Sequence, residues 1–321
     1  ASRRAKESCS SSVHVAASRI ERFRTAPATP ELFRASALAT VVGLYLVVST
    51  GAVVRLTASG LGCDNWPRCG NTPFPEKGGH AFIEFGNRVI ALCAIVATLV
   101  CWLAARRTPR LAPWVRALAL AVFLGSVAQI PLGGLTVIFH LNPLLVMAHF
   151  LLAVLVLGGA VVLGLEAHRL VAGGAAPVGR AWLRRAGVAL GVACFVLVVT
   201  GAFATAAGPH PGGSDVHRLG EALRSTRVHA VTTLVFAVSF LALLTWLQQR
   251  RHELPRVANA ALGLLALLGA QVAVGEVQYH TGLPWWLVLV HVSVAAAVWA
   301  WTVGFVWLLH RPPASFAECG T

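Results

Sequence analysis

Eight long apolar blocks, separated by short polar segments, dominate the chain: residues 36–54, 81–105, 114–137, 143–166, 182–205, 228–248, 257–277 and 285–309. Each is about 20 residues long, which as an α-helix spans the roughly 30 Å hydrocarbon core of a bilayer. None alternates apolar and polar residues with the period of two that a membrane barrel strand needs. A backbone in lipid must satisfy its hydrogen bonds internally, so blocks of this length predict helices. The pattern predicts an all-α integral membrane protein with eight transmembrane helices.

A repeat divides the eight helices into two fours. QIPLGGLTV at 129–137 resembles QVAVGEVQY at 271–279, and a histidine follows the glutamine at the same distance in both. Gln129 thus pairs with Gln271, Gly133 with Gly275 and His149 with His291, and the same offset sets Asn87 opposite His229. VVSTGA at 47–52 likewise resembles LVVTGA at 197–202. Four helices is an even number, so both copies run in one orientation, a parallel repeat rather than an inverted one. Two pseudo-symmetric four-helix bundles are expected, over 36–166 and 182–310. A cytoplasmic linker over 167–181 joins them, with a disordered cytoplasmic tail over 1–35 and a second cytoplasmic tail over 311–321.

Composition agrees. Of 321 residues 57% are hydrophobic and only 12% charged, with a mean hydropathy of +0.72; a soluble domain carries about 25% charged residues. The net charge of +14 raises the possibility of a nucleic-acid partner, but its distribution argues otherwise. Of the 26 Lys and Arg, nineteen lie in 1–34, 106–116, 169–185, 250–256 and at Arg311. The other side has Arg55, Arg68, Lys77, Arg88, Arg218, Arg224 and Arg227. This bias places both termini in the cytoplasm of a multi-pass protein; a bacterial plasma membrane is the expected location. The chain's positive charge meets lipid headgroups, not DNA. The tail lacks the apolar core of a secretory signal, and Glu7, Glu21 and Glu31 argue against a mitochondrial transit peptide.

Cys63 and Cys69 share the first non-cytoplasmic loop, where they are either a disulfide or two free thiols. Cys93, Cys101 and Cys194 fall inside helices as small core residues.

Ionisable groups inside a membrane helix are costly and therefore functional candidates. Only His149, His229 and His291 among the twelve histidines lie within the apolar helices. His149 and His291 are about 10 Å deep from the outer end, and His229 is near the outer end of its own helix. His229 and His291 would project from helices of one four-helix unit, where bundles build cofactor sites, and imidazole is an axial ligand of haem iron. The alternative is a histidine hydrogen-bonded to a neighbouring helix. In the first half Asn87 stands where His229 stands in the second, which would leave an iron held by His149 alone, open on its other face. Glu84, Asn87 and Arg88 share a helix face. Glu84 is either an interfacial ion-pair partner of Arg88 or a carboxylate facing a bound substrate.

The stretch TGAVVRLTASGLGCDNWPRCG, the IEFGNR that follows, GGLTV before His149 and TGAFATAAGPH together resemble the heme A synthase family. The resemblance runs through nearly all of 38–310. It implies an oxidoreductase that converts the C8 methyl of haem O to the formyl group of haem A for aa3-type terminal oxidases. It implies a bis-His haem b on His229 and His291, a substrate haem on His149 and an essential carboxylate at Glu84. The family's extracytoplasmic disulfide maps to Cys63–Cys69. Arg55, Arg88, Arg224 and Arg227 are candidates for pairing with haem propionates, with Asn87 lining the substrate-haem site. Implied partners are an unidentified electron donor, membrane lipid and the haem O-producing farnesyltransferase (haem O synthase). The chain departs from the family in reading E-F-G-N-R where many relatives have E-x-x-H-R, and in lacking a second cysteine pair over 206–227. Rival readings are an electron-shuttling membrane cytochrome b and a transporter or sensor with structural histidines.

Overall fold

The computed structural model describes residues 27–63, 66–69, 74–75, 78–213, 216 and 218–316. Residues 1–26 of the expected tail, Lys77, and 317–321 lie outside them. Eight helices follow in order: α1 (Pro30–Leu56), α2 (Gly79–Arg107), α3 (Pro113–Ile138), α4 (Pro143–Ala172), α5 (Ala181–Ala207), α6 (Ala222–Gln249), α7 (Pro255–His280) and α8 (Trp285–His310). All eight are long and apolar enough to cross a membrane. Among the described residues the only β pairing is an isolated bridge between Gly174 and Pro313. The all-α class and the count of eight spans are as the apolar pattern predicts.

The helix ends are set by local chemistry, and here the structure departs from hydropathy. Prolines open α1, α3, α4 and α7, where the missing N–H costs nothing. Thr29 caps α1 by accepting from Leu32 N (3.2 Å), and Asn142 caps α4 by accepting from Leu144 N (3.0 Å). The α1 cap starts the helix at Pro30, so residues 30–35, expected in the tail, form its first turns, with Phe33 fully buried. Helix α4 continues to Ala172 and shortens the linker to residues 173–180. Helix α6 begins at Ala222, not at 228, because Arg224, Ser225 and Arg227 extend it past the apolar block. Residues 312–316, expected in the tail, are docked on the linker: Ala175 N donates to Pro312 O (3.0 Å) and Ala314 N to Gly173 O (2.8 Å).

Helix neighbours recur along the chain. Helix α1 packs on α2 and α4, and α3 on α4 and α2; α5 packs on α6 and α8, and α7 on α8 and α6. The two sets meet where α8 lies against α1 and α4 and where α4 touches α5. Hydrogen bonds cross this seam over its whole length. At one end Arg55 donates from Nε to His210 O (3.0 Å) and from Nη2 to Thr205 O (2.8 Å). In the middle Tyr45 donates to Ser293 O (3.1 Å) and Trp299 Nε1 to Val154 O (2.8 Å). At the other end the buried Glu166 accepts from Trp307 Nε1 (2.9 Å) and from Arg311 Nε (2.7 Å) and Nη2 (3.0 Å). Those bonds raise the already basic pKa of Arg311.

Outward faces carry apolar stripes at helical spacing, such as Leu38, Val42 and Leu46 on α1 and Val188, Val192 and Val196 on α5. In water such patches would be a liability; facing lipid they are in their own solvent. Cys93 is on such a face next to exposed Leu92 and Val96, so it is not the core residue expected; Cys101 and Cys194 are buried as expected.

Candidate functional site

His149, His229, His291 and Asn87 all lie on helices at the bundle end that carries the loop between α1 and α2. The earlier start of α6 puts His229 eight residues into its helix, against seven for His149 and His291 in theirs. His229 is therefore not at a helix margin but at the depth of the other two.

The rings of His229 and His291 face each other with centroids 6.5 Å apart and planes 79° from parallel. One metal ion bound by a ring nitrogen of each, at about 2.0 Å, would hold two imidazole centroids about 6 Å apart. The observed pair fits a single iron between them. The His229 ring is also set from behind. Thr200 Oγ1 donates to Leu197 O (3.0 Å) and lies 3.1 Å from His229 Nδ1. The hydroxyl hydrogen is used on Leu197, so the ring nitrogen donates to the hydroxyl, which leaves Nε2 as the free, metal-competent atom. His291 Nδ1 is buried without a hydrogen-bond partner among the described residues. Among the described residues no three His, Cys, Asp or Glu side chains converge, as a free-ion site would need; haem iron needs only two axial ligands.

Glycines give these rings their room. A Cβ on Gly201 would sit 3.0 Å from His229 Cε1, one on Gly275 3.0 Å from His291 Cε1, and one on Gly133 3.3 Å from His149 Cε1. The repeat-related Gly51 has nothing within 4 Å of its Cβ position. Opposite it Asn87 replaces the ring, with Thr50 Oγ1 donating to Asn87 Oδ1 (2.7 Å) as Thr200 partners His229. Thr50 lies slightly farther, 2.9 Å, from Leu46 O.

The loop between α1 and α2 closes over this end. Cys63 and Cys69 form a disulfide. Glu84 is buried, and both its oxygens are engaged: Oε1 accepts from Arg88 Nη2 (2.6 Å) and Oε2 from Cys63 N (2.9 Å). The ion pair with Arg88 is thus formed, and it sits in a buried setting. Arg88 Nη1 donates to Pro67 O and Arg68 O (both 3.1 Å), so its guanidinium holds the loop. Trp66 lies on Gly134, whose Cβ would be 2.9 Å from the indole. The GG pair of α3 therefore seats a histidine with one glycine and the loop tryptophan with the next. Arg55 uses two of its nitrogens on the α5 carbonyl end and its loop, and Arg224 and Arg227 are exposed at the start of α6. Thr50, Thr200, Gly51 and Gly201 were visible in the sequence only as the paired TGA strings. Their roles depend on which helix face meets the second helix of each set.

The sequence profile of the cytochrome oxidase assembly protein family (COX15-CtaA) matches residues 74–208. A heme A synthase of Geobacillus kaustophilus is 34% identical over 115 residues, 33% of this chain and 33% of that protein. One of Symbiobacterium thermophilum is 36% identical over 103 residues, 30% of this chain and 33% of that protein. These alignments span only a third of those relatives' length. A heme A synthase of Listeria welshimeri is 25% identical over 290 residues, 81% of this chain and 90% of that protein. The chain is thus similar to heme A synthases, closely over a third of its length and distantly over most of it.

Proposed function

We propose that the chain oxidises the C8 methyl of haem O to the formyl group of haem A, with a resident haem b on His229 and His291 and the substrate haem on His149. The observation that carries this is the imidazole pair at 6.5 Å in α5–α8, set against His149 in α1–α4, where Asn87 holds the repeat position of His229. One set of helices presents a closed two-ligand site and the related set an open one. That asymmetry suits a duplicated fold in which one copy carries electrons and the other holds the molecule being changed.

Haem b supplies one-electron transfer when bound. The protein's own groups do the rest. Thr200 fixes the His229 tautomer, and Gly201 and Gly275 let the two rings approach from opposite helices. Glu84 is the catalytic carboxylate, buried and held by Cys63 N–H and Arg88; were the methyl oxidised through a cation, its negative charge would stabilise that cation. The disulfide-bonded segment is tied to this end through Cys63 N–H on Glu84 and through Arg88. Both termini are cytoplasmic and the site end is outside, with substrate delivered through the membrane from haem O synthase and electrons from a separate donor.

A reduced-minus-oxidised spectrum of the purified protein, with its haems extracted and identified by mass, tests the reading. Haem b with haem O or A is expected, with haem b lost in His229→Ala and His291→Ala. Glu84→Ala should keep haem b and make no haem A. Haem b alone, even with a haem O source co-expressed, would overturn the synthase reading in favour of an electron carrier.

A further inference from the structure

Three of the four repeat-related helix pairs share one device: a glycine on one helix and, against it, a histidine ring on the next. The fourth pair keeps the device without the ring. Thr50 still reaches across to the second helix, as Thr200 does, and Gly51 still stands beside it, but the residue met there is Asn87. A carboxamide is shorter than an imidazole, and the Cβ position of Gly51 meets no atom within 4 Å, where that of Gly201 meets His229 at 3.0 Å. The Gly51 position is therefore open where the Gly201 position is in contact, and the repeat that pairs His229 with His291 pairs Asn87 with His149.

We propose that this space is a binding site for a small neutral axial ligand of dioxygen or water size, and that Asn87 is its hydrogen-bonding partner. The inference rests on the reading that His149 holds the substrate haem. Asn87 is a poor ligand for iron, so it leaves the second axial position open. It is also not an apolar plug. Thr50 donates to its Oδ1 at 2.7 Å, the shortest of the three hydroxyl contacts, which leaves the Nδ2 donors for another partner. No other hydrogen bond to Asn87 is formed among the described residues. An open position with one oriented N–H donor beside it is the arrangement that lets a haem pocket hold a diatomic ligand, since donors and steric access around the iron decide that binding. Thr50 is then a positioning residue, acting through Asn87.

Carbon monoxide is the probe, added to the dithionite-reduced full-length protein co-expressed with a haem O source. The expected result is a carbonyl difference spectrum equivalent to one carbon monoxide per bound haem O, with the haem b bands unmoved. Asn87→His should retain haem O but lose the carbonyl signal, because the ring closes the site. Gly51→Leu should block carbon monoxide with Asn87 intact. Asn87→Leu should still bind it, with the carbonyl stretch moved to higher wavenumber as the donor is removed. Haem O present but inert to carbon monoxide in the unaltered protein overturns the inference and leaves the proposed function standing. A carbonyl adduct that persists unchanged in Asn87→His also overturns it. A preparation with haem b but never haem O or A overturns the proposed function, and this inference with it.

Discussion

At the scale of single residues the site is made by what is missing as much as by what is present. Gly201 and Gly275 lie behind His229 and His291 at contact distance, so any side chain there meets the ring's own carbon at 3.0 Å. A β-branched residue adds two methyls to that contact and must push the ring forward or sideways. Gly201→Val and Gly275→Val should each lower haem b occupancy at least tenfold, the usual scale for disturbing the shell that orients a metal-bound histidine. The reduced α-band per mole of protein measures this, and full occupancy in both would show that the glycines do not set the rings. The three histidines and Asn87 were legible in the sequence because polar groups stand out in apolar helices. The glycines and threonines around them were not, since small residues are common in membrane helices for packing reasons alone. Nor was the choice at Glu84: spacing allowed an ion pair or a substrate-facing carboxylate, and the structure shows the ion pair in a buried setting with a further bond to Cys63 N.

Among the elements, the loop between α1 and α2 depends on a few polar contacts more than on its length. Arg88 joins α2 to it through Pro67 O, Arg68 O and Glu84. Arg88→Ala removes all three and leaves Glu84 buried with only Cys63 N–H as partner. Breaking one side of a buried pair costs about 3 kcal/mol. The variant should therefore unfold at lower temperature, and limited proteolysis should cut the loop faster, with haem b spectra unchanged. A loop as protease-resistant as before would assign the anchoring to the disulfide and Trp66 alone. Element ends show the boundary of sequence reading in the same way. Hydropathy located every span, yet it began α6 at 228 because Arg224 and Arg227 look like loop, and it missed the start of α1 because Thr29 and Pro30 act through capping rather than apolarity.

For the whole molecule, the apolar pattern made the eight spans legible, whereas the seam between α1–α4 and α5–α8 was not, because its bonds join residues far apart in the chain. Glu166 illustrates this. It reads as a lone acid near a helix end, yet it is buried and takes three hydrogen bonds from Trp307 and Arg311. Glu166→Gln keeps the shape and removes the charge, so it should cost roughly 1–3 kcal/mol. A fall in Tm with unchanged haem content is the expected readout, and an unchanged Tm would make the cluster dispensable.

The seam has a further consequence. It is bonded at both ends and in the middle, by Arg55, by Tyr45 and Trp299, and by Glu166. Rocking one unit against the other, the motion alternating-access carriers need, would have to break these bonds together. The seam thus ties the imidazole pair and His149 to one rigid frame. An electron passing from one set of helices to the other would cross a gap set by the packing of α8 against α1 and α4, so its rate would follow driving force more than hinge motion.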